Sequence, residues 1–370
     1  MTSKIVQLAN FYSPTSGGLR VAVDALRNGY VAAGSSTTLI IPGRRSHSCD
    51  GVVEIAAPKL PTSSGYRVIV SRRAVLDALD HADPDLVEVH DKLLQRWAWQ
   101  WAQRRHRPLV AFSHERLDAT LGEFLPRLGA GPRERLVEFV NSRALGDCDR
   151  LVTCSAFAAA EFPASAKIRT VPLGVDLDRF RPVATAGSNV AVQLVSVGRL
   201  SPEKRPDIAI GAVAALLSRG VRAELTMLGS GPWESRLRRQ AGSLPVRFLG
   251  FCAPEQVAEH LAVADISLAC GPAETFGLAA LEALACGTPT VTVLGAATAD
   301  FVSLDPAAGR AVAANSQAFA DAVLELLVVP VPTRRRAARA VAERFSWKHT
   351  IDAMRDLQAE LLATGRVLEP

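Results

Sequence analysis

"VAVQLVSVGRLSPEKRPDIAIGAVAALLSRG", residues 190–220, reads as an apolar strand, a glycine loop and a helix that Gly220 ends. Strand, loop and helix in that order open a parallel βαβ unit. The unit falls midway along the chain, after the same pattern has already run once. "KIVQLA" (4–9) is a strand, followed by a Gly-containing loop and a helix from about Leu19 to Ala33. "TTLIIP" (37–42), "DLVEVH" (85–90), "PLVAFSH" (108–114) and "RLVTCS" (150–155) add strands, and 132–146 adds a helix. After the restart, "AELTMLGSG" (223–231), "VRFLGF" (246–251), "ADISLACG" (264–271) and "TPTVTVLG" (288–295) repeat the strand-to-loop theme. The polar, Pro/Gly-bearing "GVDLDRFRPVATAGSN" (174–189) reads as the linker. The expectation is an α/β chain of two doubly wound, Rossmann-like domains, 1–183 and 184–344, with a terminal helix segment, 345–370.

The totals agree with that reading. At 370 residues the chain is long for one core and comfortable for two, and 48% hydrophobic with 21% charged describes a globular protein. No stretch approaches the roughly 18–20 apolar residues of a membrane span, and the N-terminus reads as a strand rather than a signal peptide. A cytoplasmic setting is expected. Cys49, Cys148, Cys154, Cys252, Cys270 and Cys286 form no CxxC pair, so reduced structural thiols are expected and a zinc site is not. The net charge of +5 is uneven: residues 1–183 hold 24 Lys and Arg against 19 Asp and Glu, and the remainder is balanced. That points to an anionic partner for the first half. Nucleic acid is disfavoured, because no finger, RNP sequence or concentrated basic arm accompanies the surplus.

Ligands of open α/β sheets bind beyond the carboxyl ends of the strands. The first domain offers Gly17-Gly18, the turn after His90, and His114. The second offers Gly198-Arg199 with Lys204, Gly229-Ser230-Gly231, the turn at Gly250, and Pro272 to Gly277. If these loops face each other, they line a cleft from both sides. Arg199 and Lys204 stand before a helix N-terminus, a setting for a diphosphate or for a plain solvated turn. "SPTSGGL" (13–19) is not the GxGxxG fingerprint, which disfavours a nicotinamide enzyme. His114 closes an apolar strand, either as a site residue or with Glu115 simply accepting its proton. In "GPAETFGLAALEALACGTPTV" (271–291), Glu274 and Glu282 stand eight positions apart in an apolar run. A helix through both would place them on roughly one face. Carboxylates accept from vicinal hydroxyls of sugar or ribose, and the amides of Phe276, Gly277 and Leu278 can meet phosphate or sugar oxygens.

"ETFGLAALE" followed by "ALACGTPTV" resembles the E-x7-E signature of retaining GT-B glycosyltransferases of family 4. The resemblance extends through "NFYSPTSGGLRVAVDAL", "SHERLD", "VPLGVDLDRFRP", "VGRLSPEKRPD", "LGSGP" and "FLGF". The N-terminal pieces look most like actinobacterial phosphatidylinositol-mannoside α-mannosyltransferases. The resemblance implies a nucleotide-sugar donor, GDP-mannose, and a lipid-linked acceptor held by the first domain. It implies Glu274 on hydroxyls of the transferred sugar, Glu282 on the ribose, Arg199 and Lys204 on the diphosphate, and His114 against the sugar. Gly17 and Gly18 would let backbone approach phosphate and acceptor, Phe251-Cys252 would hold the base, and Thr275 to Leu278 would complete the donor site. No metal is expected for the chemistry, and the segment from Phe345 is expected to return to the first domain.

"LLQRWAWQWAQRRHRP" (93–108) gathers three tryptophans with arginines. Trp97 and Trp101 share a helical face, and Trp99 points elsewhere. Packing on the first sheet is the favoured reading, and contact with an anionic bilayer at the inner membrane face is the sharper one. The rival functions are a UDP-sugar transferase with a soluble acceptor, a GT-B-type epimerase, and a non-catalytic nucleotide-sugar-binding subunit.

Overall fold

The computed structural model describes residues 3–13, 17–60, 66–118, 129–183 and 191–364. Residues 14–16 of the first glycine loop, 184–189 of the linker and 365–370 of the final segment lie outside the described residues. The chain divides into two units, Met1–Leu173 with Trp347–Pro370, and Gly174–Ser346.

The first unit holds an eight-stranded sheet in the order β3-β4-β2-β1-β5-β6-β7-β8. Its strands are β1 (Lys4–Leu8), β2 (Ser36–Gly43), β3 (His47–Cys49), β4 (Val52–Ala56), β5 (Leu86–Val89), β6 (Leu109–Ser113), β7 (Arg150–Thr153) and β8 (Ile168–Thr170). All pair in parallel except β3 with β4. The central strands β5 and β6 are buried along their whole length, as a parallel sheet covered on both faces requires. The β3–β4 hairpin was not anticipated. Its turn is Asp50-Gly51, both with positive φ, the pairing that a two-residue hairpin favours.

The second unit holds a six-stranded, all-parallel sheet in the order β11-β10-β9-β12-β13-β14. Its strands are β9 (Val192–Val197), β10 (Ala223–Leu228), β11 (Val246–Gly250), β12 (Ile266–Ala269), β13 (Thr290–Val293) and β14 (Gly309–Val312). The order reverses between β9 and β12, so the loops leaving these neighbours diverge to opposite faces and open a crevice.

The second unit begins ten residues earlier and ends two residues later than in the sequence reading. Residues 174–183 pack on this unit: Arg339 Nη1 donates to the carbonyls of Leu177 (3.2 Å) and Phe180 (2.9 Å). Phe345 also stays with it, its ring 6.2 Å from Phe276 and 5.7 Å from Phe301. The helix Trp347–Thr364 belongs to the first unit. It lies close enough to the helix Gly18–Ala32 that a side chain at Gly29 would run into Ile351, and Thr350 Oγ1 donates to the Pro172 carbonyl at 2.8 Å.

On the helix Lys92–Arg105 all three tryptophans turn inward. Trp101 is 2% exposed and donates through Nε1 to Asp80 Oδ1 at 2.8 Å, and Trp97 and Trp99 pack against the same apolar cluster. Trp99 therefore does not point elsewhere. Its large ring reaches the core from the edge of the helix's inner face. Among the described residues no helix is long and apolar enough to cross a membrane, and all six cysteines are free thiols.

Candidate active site

β9 ends at Gly198, and the chain passes through Arg199 into a 3-10 turn, Pro202–Lys204, before the helix Pro206–Ser218. Arg205 caps the turn with positive φ, and Pro206 fits the first helical position because no amide is needed there. β12 delivers Cys270-Gly271 and then Glu274. Together the two loops line a pocket that includes Gly198, Arg199, Lys204, Glu274, Gly277 and Thr298. It lies at the carboxyl ends of β9 and β12, where the strand order reverses.

Lys204 Nζ donates to Glu274 Oε1 at 2.6 Å, joining two residues to which the sequence assigns different tasks. The Arg199 side chain is exposed and has no carboxylate partner among the described residues. The site thus presents an uncompensated guanidinium beside a neutralised pair.

The glycines explain how the loops close up. A side chain at Gly229 would run into the Gly198 carbonyl, and one at Gly231 into the Leu200 backbone. "LGSGP" is therefore a close approach of one backbone to the Arg199 loop. Gly277 has φ +90° and leads into the helix Leu278–Ala285. That helix begins four residues after Glu274, which corrects the one-face expectation. Glu274 sits in the turn ahead of the helix, and only Glu282 projects from it.

Glu282 lies just over one turn along that helix and is partly buried. Burial pushes its carboxyl up to about 8, against the opposing pull of the Arg179 guanidinium. No hydrogen bond or ion pair reaches the Glu282 carboxyl among the described residues. Phe276 is 5% exposed, and its ring belongs to the cluster with Phe301 and Phe345. Leu278 follows Gly277 as the first helical residue, and Thr275 is half-buried in the preceding turn. Cys252 follows β11 with its thiol 3.6 Å from the Gly250 carbonyl, beside an exposed Phe251.

In the first unit, Gly17 is the N-cap of the helix Gly18–Ala32, and its backbone is exposed. His114 follows β6. Its Nε2 lies 2.9 Å from His90 Nδ1, and its ring stacks on Phe112 with centroids 4.4 Å apart. Burial holds the His114 imidazole down at about 3, so it is neutral at physiological pH. Sequence reading treated His90 only as the end of a strand and missed Glu88 altogether. Their signal was a pair of ionisable residues inside "LVEVH" (86–90), an otherwise apolar run.

An all-parallel sheet with a pocket at its switch point, lined by Arg199 and Lys204, has its opening where sheets of this kind hold ligands. The chain belongs to the glycosyltransferases: residues 188–344 match Glycosyl transferases group 1, and residues 16–179 match Glycosyltransferase Family 4. It is 41% identical over 366 residues to the GDP-mannose-dependent alpha-(1-6)-phosphatidylinositol dimannoside mannosyltransferase of Mycobacterium tuberculosis, covering 95% of this chain and 94% of that one. It is also 31% identical over 314 residues to a D-inositol 3-phosphate glycosyltransferase of Saccharomonospora viridis, covering 76% of this chain and 71% of that one. The fold is GT-B. The sucrose-phosphate synthase of Thermosynechococcus elongatus superposes with a TM-score of 0.79 at 19% identity, over 98% of this chain and 100% of that one.

Proposed function

We propose that this chain is a retaining α-mannosyltransferase that moves mannose from GDP-mannose to a phosphatidylinositol-mannoside acceptor. The observation that supports it most is the 41% identity to a GDP-mannose-dependent relative, sustained over 95% of the chain and hence across both units. In this reading the first unit receives the acceptor and the second the donor. Arg199 and Lys204 take the diphosphate, Glu274 takes sugar hydroxyls, Glu282 the ribose pair, and Phe251-Cys252 the base. Thr275 and the amides of Phe276, Gly277 and Leu278 take sugar or phosphate oxygens. His114 and the Gly17-Gly18 backbone meet the sugar and the acceptor from the first unit.

The bond from the anomeric carbon to the diphosphate oxygen breaks, and a bond to the acceptor hydroxyl oxygen forms on the same face. The acceptor's proton passes to the departing phosphate. Negative charge grows on the diphosphate in the transition state, so Arg199 and Lys204 contribute more there than in the ground state. These cations and the helix-start amides supply the positive charge, and we propose that no metal is needed. Turnover is then expected to persist in excess chelator.

The unit with the basic surplus meets an anionic headgroup by peripheral contact at the cytoplasmic membrane face. A second reading, a soluble anionic acceptor, draws on the 31% likeness to the inositol-phosphate enzyme. The test is a donor screen read by mass spectrometry, with a membrane-lipid extract or soluble polyols as acceptors. Mannosylated lipid from GDP-mannose is the expected product. Faster turnover with a UDP-sugar, or with a soluble acceptor, overturns the donor or the acceptor separately. Flotation on anionic but not neutral vesicles, lost at high salt, checks the membrane contact.

A further inference from the structure

The interior of the first unit holds a connected set of polar side chains from five elements. Glu88 on β5 is 1% exposed, and His90, just past that strand, is 3% exposed. Tyr30 Oη donates to Glu88 Oε1 at 2.9 Å and Gln358 Nε2 donates to the same oxygen at 2.8 Å. Gln7 Nε2 donates to Glu88 Oε2 at 3.1 Å. Three donors converging on one carboxyl leave it the role of acceptor. Glu88 Oε2 also lies 3.8 Å from His90 Nε2, a buried nitrogen with no hydrogen-bond partner. Beyond it, His90 Nδ1 meets His114 Nε2 at 2.9 Å. Phe112 stacks on both imidazoles, 5.7 Å from His90 and 4.4 Å from His114 between centroids, so neither ring is free to turn over.

Proton placement follows from these contacts. A lone pair on His90 Nε2 would face carboxylate oxygen, whereas a proton there is attracted to it. Nδ1 of His90 then carries the lone pair and must receive a hydrogen from His114 Nε2. Both rings are neutral, because burial disfavours their charged forms. We propose that Glu88 and His90 are positioning residues that fix His114 as its Nε2–H tautomer, and that Gln358 ties the arrangement to the helix Trp347–Thr364. Any ligand that His114 meets through Nδ1 is then met as an acceptor, which suits a sugar hydroxyl. This last step rests on the donor-sugar reading of His114; the tautomer does not.

The test is long-range nitrogen–proton NMR on the nucleotide-free full chain with labelled histidine, the seven histidines assigned in part by His114→Gln. Protonation at Nε2 in both His90 and His114 is the expected result, and Nδ1 protonation of His114 overturns the proposal. Glu88→Gln keeps the volume and can retain an oxygen toward Tyr30 and Gln358 while presenting an NH2 toward His90. Both tautomers are expected to invert, and kcat to fall at least about 10-fold at nearly unchanged donor KM. A folded Glu88→Gln with uninverted tautomers overturns the relay. Should that variant not fold, the parent spectrum alone still decides the tautomer. Inverted tautomers with full turnover would instead sink the sugar-contact role of His114, so the two failures separate.

Discussion

Each unit buries a glutamate, and the two are treated in opposite ways. Glu88 in the first unit receives hydrogen bonds from Tyr30, Gln7 and Gln358, which offset the desolvation that raises its pKa. Glu282 in the second unit receives none among the described residues, and burial leaves its carboxyl at about 8. A buried acid with its donors in place is a finished piece of structure. One without them has capacity for a ligand that brings donors, and the vicinal hydroxyls of a ribose do so. The second unit's pocket side thus leaves charged groups open, an exposed Arg199 with no carboxylate partner and a Glu282 with no hydrogen bond among the described residues.

The largest expected effect comes from that pocket. Lys204→Ala or Arg199→Ala is expected to cut turnover about 10²–10³-fold, the scale of losing one donor aimed at developing charge. The melting transition should stay close to the parent's, since Arg199 is exposed and the Lys204–Glu274 pair is open to solvent. A folded Arg199 variant with normal turnover would remove the phosphate role. Next comes the division between the two acids. Glu274→Gln is expected to lower sugar transfer about 10- to 100-fold with nucleotide affinity nearly kept. Glu282→Gln is expected to weaken nucleoside diphosphate binding about tenfold. Calorimetry with GDP separates them, and equal affinity losses would contradict the assignment.

The contrast also accounts for what could be read from the sequence. The second unit's site comes from contiguous stretches, "GRLSPEK" and "GPAETFGLAALE", whose strand-end glycines and charges mark it without any fold. Arg199, Lys204, Glu274 and Gly277 line one pocket. The first unit's polar set joins Gln7, Tyr30, Glu88, His90, His114 and Gln358, residues spread over most of the chain. No local spacing relates them; sheet order and the returning helix do. Strands came through because parallel strands are uninterrupted apolar runs. β3, β8 and β14 are three or four residues long and carry no such run. The Glu274–Glu282 register was misread because periodicity cannot reveal that Gly277 breaks the helix with a positive φ.

That break gives a smaller, structural prediction. Gly277→Ala places a side chain at φ +90° against Thr298, and a loss of about 1–3 kcal/mol is expected. Chemical denaturation read by a probe in the second unit checks it. Gly34 also has positive φ, +89°, but open space around it, so Gly34→Ala in the first unit should cost less. Equal losses would mean that strain alone, and not the close approach to Thr298, sets the cost.

The last effect concerns the Glu282 carboxyl itself. The Glu282 carboxyl stands at about 8 in the folded chain against an ordinary 4.5, so folding favours its protonated form. Its contribution is fully present below about pH 4.5 and is lost as pH rises through about 8. Gln cannot ionise and imitates the protonated acid. Parent and Glu282→Gln are therefore expected to melt together at low pH and to diverge above it. The variant becomes the more stable by a widening margin that levels off beyond pH 8. Saturating GDP should narrow that margin, because donors from the ribose favour the carboxylate and the parent binds more tightly. Burial raises the Glu88 carboxyl too, so a Glu88→Gln scan varies with pH in the same direction, but that variant is expected to be less stable than its parent at neutral pH, since removing an acceptor that three donors already satisfy leaves at least one of them unpaired. Parallel curves for Glu282→Gln and its parent without nucleotide would show that water meets Glu282 well enough, and would erase the contrast between the two glutamates.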